Sequence, residues 1–104
     1  MTGAVPQFDE LIHAPTRLSI VALLASADWA DFSFIRDSLN LSDSALSKQV
    51  STLEDAGYVT VRKTGAGRNR RTHLRLSSPG RRAFRQHAAA LQQIIANADG
   101  IRRR

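Results

Sequence analysis

Residues 40–62 read Asn40-Leu41-Ser42-Asp43-Ser44-Ala45-Leu46-Ser47-Lys48-Gln49-Val50-Ser51-Thr52-Leu53-Glu54-Asp55-Ala56-Gly57-Tyr58-Val59-Thr60-Val61-Arg62. Leu46, Val50 and Leu53 fall at i, i+4 and i+7, which gives one apolar helical face. Ser42 precedes that face with a hydroxyl able to accept an orphan N–H of the first turn. Gly57 supplies the stop. The spacing predicts a helix over Asp43–Ala56, about 21 Å long at 1.5 Å per residue. At Tyr58 the period changes to 2, and the β-branched run Tyr58–Arg62 predicts a strand.

Upstream, Phe32, Ile35 and Leu39 predict a short helix over Asp31–Leu39. Asn40-Leu41-Ser42 is then a turn of three residues, and Asn tolerates the left-handed conformation that ends helices. Pro15 suits a first helical turn, and Leu18, Val21, Ala22 and Ala25 continue a mostly buried helix to Ser26. Phe8, Leu11 and Ile12 predict a short helix before it. Asp28–Asp31 breaks the pattern, with Trp29 expected to anchor this stretch against the hairpin that follows. Downstream, Thr64–Arg70 is a glycine-rich basic tip. Thr72–Leu76 alternates again and closes the hairpin. Ser77-Ser78-Pro79-Gly80 turns into a helix from Pro79 to about Asn97, and Gly100–Arg104 reads as a frayed basic tail.

The chain has 104 residues, enough for one domain with one core. Its hydrophobic share of 42% and charged share of 23% are those of a globular protein. Without cysteine, disulfides and thiolate metal sites are excluded. The apolar run Ile20–Ala25 is far short of the roughly 18 residues a membrane span needs. Met1–Glu10 has no basic n-region, so a cytoplasmic location is expected. The net charge of +6 is unevenly placed. Residues 1–60 carry three basic residues against eight acids, a net of −5; residues 61–104 carry twelve against one, a net of +11. Such segregation points to a polyanionic partner. Arginine outnumbers lysine thirteen to two, which suits forked phosphate and guanine recognition and equally a GC-rich genome.

The expected fold is mainly α with a small β-hairpin: a winged helix-turn-helix over residues 8–78, a C-terminal helix over 79–98 and a basic tail over 99–104. A helix of this girth fits a major groove, and the hairpin reaches sideways. With Leu46, Val50 and Leu53 turned inward, Ser44, Ala45, Ser47, Lys48 and Ser51 face out, with Gln49 at the edge; these are the base-contact candidates. The alternative is a solvated amphipathic face, whose usual filling is Glu and Lys. Arg68, Asn69, Arg70 and Arg71, on a Gly65/Gly67 frame, are expected at a minor groove or on phosphates. Arg62, Lys63 and Arg75 at the base of the wing 62–72, Thr52 on the helix, and Ser33 and Arg36 on the bracing helix are further backbone candidates.

Phe84, Ala88, Leu91, Ile95 and Ala98 recur at steps of four and three, a coiled-coil-like seam that His87 and Ile94 widen. This seam predicts a homodimer; the alternative is a helix folded back on its own domain. Arg81, Arg82 and Arg85 then lie near the helix start, toward the nucleic acid. His13, His73 and His87 fall in three elements without paired spacing, so no metal site is expected. No nucleophile elbow or phosphate loop is present, so neither enzymatic activity nor a cofactor is expected.

The segment Leu11–Leu91 resembles the small winged helix-turn-helix transcriptional regulators of the MarR/ArsR-like type. The resemblance is carried by Ile12-His13-Ala14-Pro15-Thr16-Arg17-Leu18, by Asp31-Phe32, by Leu41-Ser42-Asp43-Ser44-Ala45-Leu46-Ser47 and by Leu53-Glu54-Asp55-Ala56-Gly57-Tyr58-Val59. Arg71-Thr72, Leu76-Ser77 and Gly80-Arg81 complete it. It implies a homodimeric regulator that binds double-stranded DNA by sequence. The chain departs in lacking the cysteines and paired ligands of many metal-sensing ArsR-like proteins, and it is shorter than typical MarR proteins, leaving little room for their ligand pocket. Two other classes use the same features: a non-specific architectural DNA- or RNA-binding protein, and a winged helix that meets a protein partner. The near-neutral helix face favours base readout over the first, and the arginine wing favours nucleic acid over the second.

Overall fold

The computed structural model describes residues 7–102. In chain order these form α1 (Glu10–His13), α2 (Pro15–Ala25), β1 (Ala30–Asp31), α3 (Phe32–Ser38), α4 (Asp43–Asp55), β2 (Val59–Thr64), β3 (Arg71–Leu76) and α5 (Ser78–Arg102). The strands form an antiparallel sheet in the order β1-β3-β2. Helices α2, α3 and α4 close over one face of it. Ile20, Val21 and Leu24 of α2 meet Ile35, Leu46, Val50 and Leu53 there, with Val59, Leu74 and Leu76 from the hairpin. All ten are buried, and full burial of such side chains contributes about 1.5–3 kcal/mol each.

The turns follow from backbone chemistry. Asn40 takes φ 55° after α3, and Leu41 N–H donates to Arg36 C=O at 2.9 Å. Gly57 takes φ 80° after α4, and Tyr58 N–H donates to Leu53 C=O at 3.0 Å. Both are left-handed helix stops that satisfy orphan carbonyls. Ser42 Oγ accepts from Ala45 N–H at 3.1 Å and so starts α4.

Three features differ from the sequence reading. The break at Asp28–Asp31 contains β1, which pairs Ala30 with Leu74 and Asp31 with His73. Two residues are too short for a period-2 signal, so β1 was not legible. Helix α5 runs to Arg102, past Asn97, with Gly100 inside it; a single glycine costs a helix only about 1 kcal/mol and does not end it. Arg81 is turned onto its own domain. It donates to Ala25 C=O at 3.1 Å and Ala27 C=O at 2.9 Å, capping the carbonyl end of α2 with a cation.

The start of α5 is locked to the end of α4. Ser77 Oγ donates to Gly57 C=O at 2.6 Å and accepts from Gly80 N–H at 3.0 Å, while Ser77 N–H donates to Tyr58 C=O at 3.0 Å. Gly80 sits so close to Tyr58 that an added Cβ would collide with the Tyr58 carbonyl oxygen. Gly80→Ala is therefore expected to destabilise the domain by about 1–3 kcal/mol through overpacking. Urea unfolding checks this; an unchanged midpoint would show that the corner yields.

Candidate nucleic-acid interface

Helix α4 exposes Ser44, Ser47, Lys48 and Ser51, with Ala45 and Thr52 half-buried beside them. Thr52 Oγ1 turns back to Lys48 C=O at 3.2 Å. Gln49 is not on this face. It is half-buried and accepts from Arg17 Nη1 at 2.9 Å, while Arg17 Nε donates to Leu11 C=O at 2.7 Å. Arg17 thereby ties α1 and α2 to the back of α4. This removes Gln49 from the outward set; its position 200° round the helix from Ser47 is the reason.

The hairpin alternates. Val59, Val61, Leu74 and Leu76 point to the helices, and the register pairs Val61 with Leu74 and Arg62 with His73. Arg62 and Arg75 accordingly lie on the opposite face. The Arg62 guanidinium stacks 4.1 Å above the Trp29 ring and that of Arg75 stands 5.7 Å from it. Arg75 Nε also pairs with Asp28 Oδ1 at 3.0 Å. The expected anchoring role of Trp29 is thus visible as a shelf for two arginines. The same contacts hold Arg62 and Arg75 at the wing's base rather than beside α4.

Between α4 and the hairpin lies an open cleft of about 690 Å³. Ser33 and Arg36 of α3, Ser47 and Ser51 of α4, and Lys63, Arg68, Asn69, Arg70, Arg71 and Thr72 of the wing line it. Residues from three separate elements, each picked out by spacing or charge, therefore share one concave surface. Their charges are unequal in freedom. Arg36 is gripped by Asp37 at 2.9 Å and Asp43 at 2.8 Å, and these hydrogen bonds hold its pKa above the usual arginine value. Arg71 meets Asp31 at 3.4 Å. Lys63, Arg68 and Arg70 have no carboxylate partner among the described residues. Exposed pairs such as those of Arg36 and Arg71 are weak because solvent screens them, so a phosphate can displace the carboxylate.

The seam residues of α5 divide. The first half of the helix packs on α1, α2 and β3. Phe84 joins the domain core and His87 is 0% exposed, so His87 is spent inside the protomer and not at an interface. Ala88 and Leu91 are half-buried, Ile94 and Ile95 are 53% and 61% exposed, and Ala98 is exposed. His13 and His87, read as separate, meet with Nδ1 and Nε2 3.3 Å apart. No spacing rule could show this, because the contact joins residues 74 apart. His73 stands on β3. No group of three or more His, Asp or Glu is placed to hold a metal among the described residues. Nor is any described helix long and apolar enough to cross a membrane.

Residues 16–95 match the winged helix DNA-binding domain family, and the chain belongs to that family. It is 26% identical over 90 residues to an uncharacterized protein of Methanocaldococcus jannaschii, covering 86% of this chain and 98% of that one. The solved structure of a transcriptional regulator homologue from Pyrococcus horikoshii superposes with a TM-score of 0.82 at 27% identity, over 88% of this chain and 90% of the other. The fold is shared with MarR-family regulators. A zinc-responsive member from Lactococcus lactis aligns with a TM-score of 0.65 at 15% identity, over 97% of this chain and 67% of its own. The chain is thus a winged helix DNA-binding protein of the transcriptional-regulator type.

Proposed function

We propose that this chain reads double-stranded DNA by sequence as a homodimeric transcriptional regulator. Helix α4 enters the major groove, and Arg68, Asn69 and Arg70 at the wing tip take the minor groove or the phosphates beside it. The observation that carries this reading is the pairing across one cleft of an almost uncharged helix face with an unneutralised cationic tip. A binder without sequence preference would gain from cations on α4, where Ser44, Ser47 and Ser51 stand instead. Small hydroxyl side chains let the helix approach base edges and can donate or accept there.

Dimerisation is supported by the outer half of α5. A compact chain of this length has a radius of gyration near 13 Å, whereas this one measures 16.2 Å with a long axis of 62 Å. The excess is a helix that outruns its own domain and carries Ile94 and Ile95 into solvent. Two copies related by a two-fold axis place their α4 helices in successive major grooves, about 34 Å apart.

Selection of bound sequences from a random duplex pool tests the reading. A recurrent pseudo-palindrome is the expected product; an unenriched pool would point to architectural binding. On the selected site, Ser47→Ala or Lys48→Ala is expected to weaken binding by about 1–3 kcal/mol, and to weaken random-duplex binding less. Equal loss on both would remove α4 from base readout.

A further inference from the structure

Away from the cleft, the segment before α2 is fastened to α5 by a set of aromatic and polar contacts. Asp9 N–H donates to His87 Nδ1 at 2.9 Å, and His87 Nε2 lies 3.3 Å from His13 Nδ1. The Phe8 ring covers both imidazoles with its centroid 4.6 Å from each. Asp9 Oδ1 accepts from Ile12 N–H at 3.1 Å, capping α1, and Asp9 Oδ2 accepts from Tyr58 OH at 2.6 Å. Tyr58 directly follows the stop that ends α4.

The Asp9 N–H bond to His87 assigns the tautomers of the pair. Asp9 N–H is a donor, so His87 Nδ1 carries only a lone pair. A neutral His87 then holds its proton on Nε2 and donates it to His13 Nδ1, which must also be bare. An added proton has no place in this chain. On His87 Nδ1 it would face the Asp9 N–H; on His13 Nδ1 it would face the His87 Nε2–H. Either event exchanges a hydrogen bond for two opposed donors.

We infer that His13 and His87 form a proton-sensitive clasp, which holds residues 7–13 on α5 while the His87 ring is neutral and releases them on acidification. Release also frees Asp9 from Tyr58, the residue that follows the Gly57 stop of α4. The titratable groups acting on His87 are His13, Asp9 and Glu10 on the N-terminal side; beyond them, Tyr58 is bonded to Asp9, Arg82 of α5 shares a shallow cleft with Asp9 and Tyr58, and Arg17 of α2 is bonded to the Leu11 carbonyl. Burial, then the neighbouring His13, holds His87 below the ordinary histidine pKa, while Asp9 and Glu10 pull the other way. With the folded-state pKa lowered, the unfolded chain binds more protons. The clasp's contribution is therefore complete above the unfolded value of about 6.5 and is lost as the pH falls below it. The clasp stands apart from the DNA-binding reading and survives or fails without it.

Urea unfolding of the full chain between about pH 7.5 and pH 5.5 provides the test, above the range where carboxylates titrate. The folding constant of the wild type is expected to fall with pH, by about tenfold for each unit by which His87 lies below its unfolded pKa. His87→Gln, whose side-chain oxygen can still accept from Asp9 N–H, is expected to lose most of that dependence, and His73→Gln to keep it. A wild type whose stability is flat over this range, or a His87→Gln protein as pH-dependent as the wild type, would overturn the clasp. Should His87→Gln fail to fold, histidine ring NMR on the wild type decides. A His87 titrating below the ordinary value with a bare Nδ1, together with amide protection at Asp9 and Ile12 that falls before that of Val50, supports the clasp. A His87 that titrates at or above the ordinary value overturns it.

Discussion

Arg68→Ala/Arg70→Ala is expected to weaken binding to every duplex on the order of 50-fold near 0.1 M salt, with little change in preference between sequences. The size follows from counterion release: two lost phosphate contacts remove about 1.8 from the slope of log K against log salt. The structure sharpens this test by dividing the wing's cations. Arg68 and Arg70 line the cleft, while Arg62 and Arg75 are stacked on Trp29 on the far face. Arg62→Ala should leave the salt slope nearly as it is. Titrations at several salt concentrations check both. A slope unaltered in the tip variant would show that the tip does not touch the backbone, and a slope lowered equally by Arg62→Ala would mean that the far face binds too.

Ile95→Asp is expected to convert the protein from dimer to monomer at micromolar concentration and, with the second half-site lost, to reduce affinity for a palindromic site by a hundredfold or more, the lower end of the avidity gain from linked binding. Ile95 is preferred over Leu91 for this experiment because it is 61% exposed, whereas Leu91 is half-buried against its own domain. An acidic residue at 95 leaves the protomer's core untouched, but in a dimer seam it becomes a desolvated, unpaired charge. Sedimentation velocity reads the result. A wild-type monomer, or an Ile95→Asp protein that sediments as a dimer, would exclude the outer half of α5 from assembly.

The elements legible in the sequence were those whose signal is local. Ser42, the Leu46–Val50–Leu53 face and Gly57 delimit α4 within a residue of its observed ends. The change of period at Tyr58 marks the hairpin. What the sequence concealed depends on distant partners. Gln49 has the spacing of an edge residue and is claimed by Arg17, 32 positions earlier. Arg81 belongs by composition to the basic half and by geometry to the end of α2. Arg62 and Arg75 carry the charge expected at a nucleic-acid surface, but strand alternation puts them on the face away from α4. The seam on α5 has one uninterrupted spacing, yet its first half is used up within the protomer, because α1 and α2 reach it there. Charge and periodicity identify which residues are available, and tertiary pairing decides which of them remain so.

Helix α4 is held between two left-handed stops, Asn40 before it and Gly57 after it, and its core face is committed at Leu46, Val50 and Leu53. Its length and its rotation are therefore one quantity. Deleting or inserting a single residue between Leu46 and Leu53 would turn everything beyond it by about 100° and take part of that face out of register with the core. Divergence among descendants of this chain is consequently channelled. What the outward face of α4 recognises can be retuned by exchanging Ser44, Ser47, Lys48 or Ser51 one at a time, at constant chain length. A change of length at the wing tip displaces no core side chain, because residues 65–70 are all exposed.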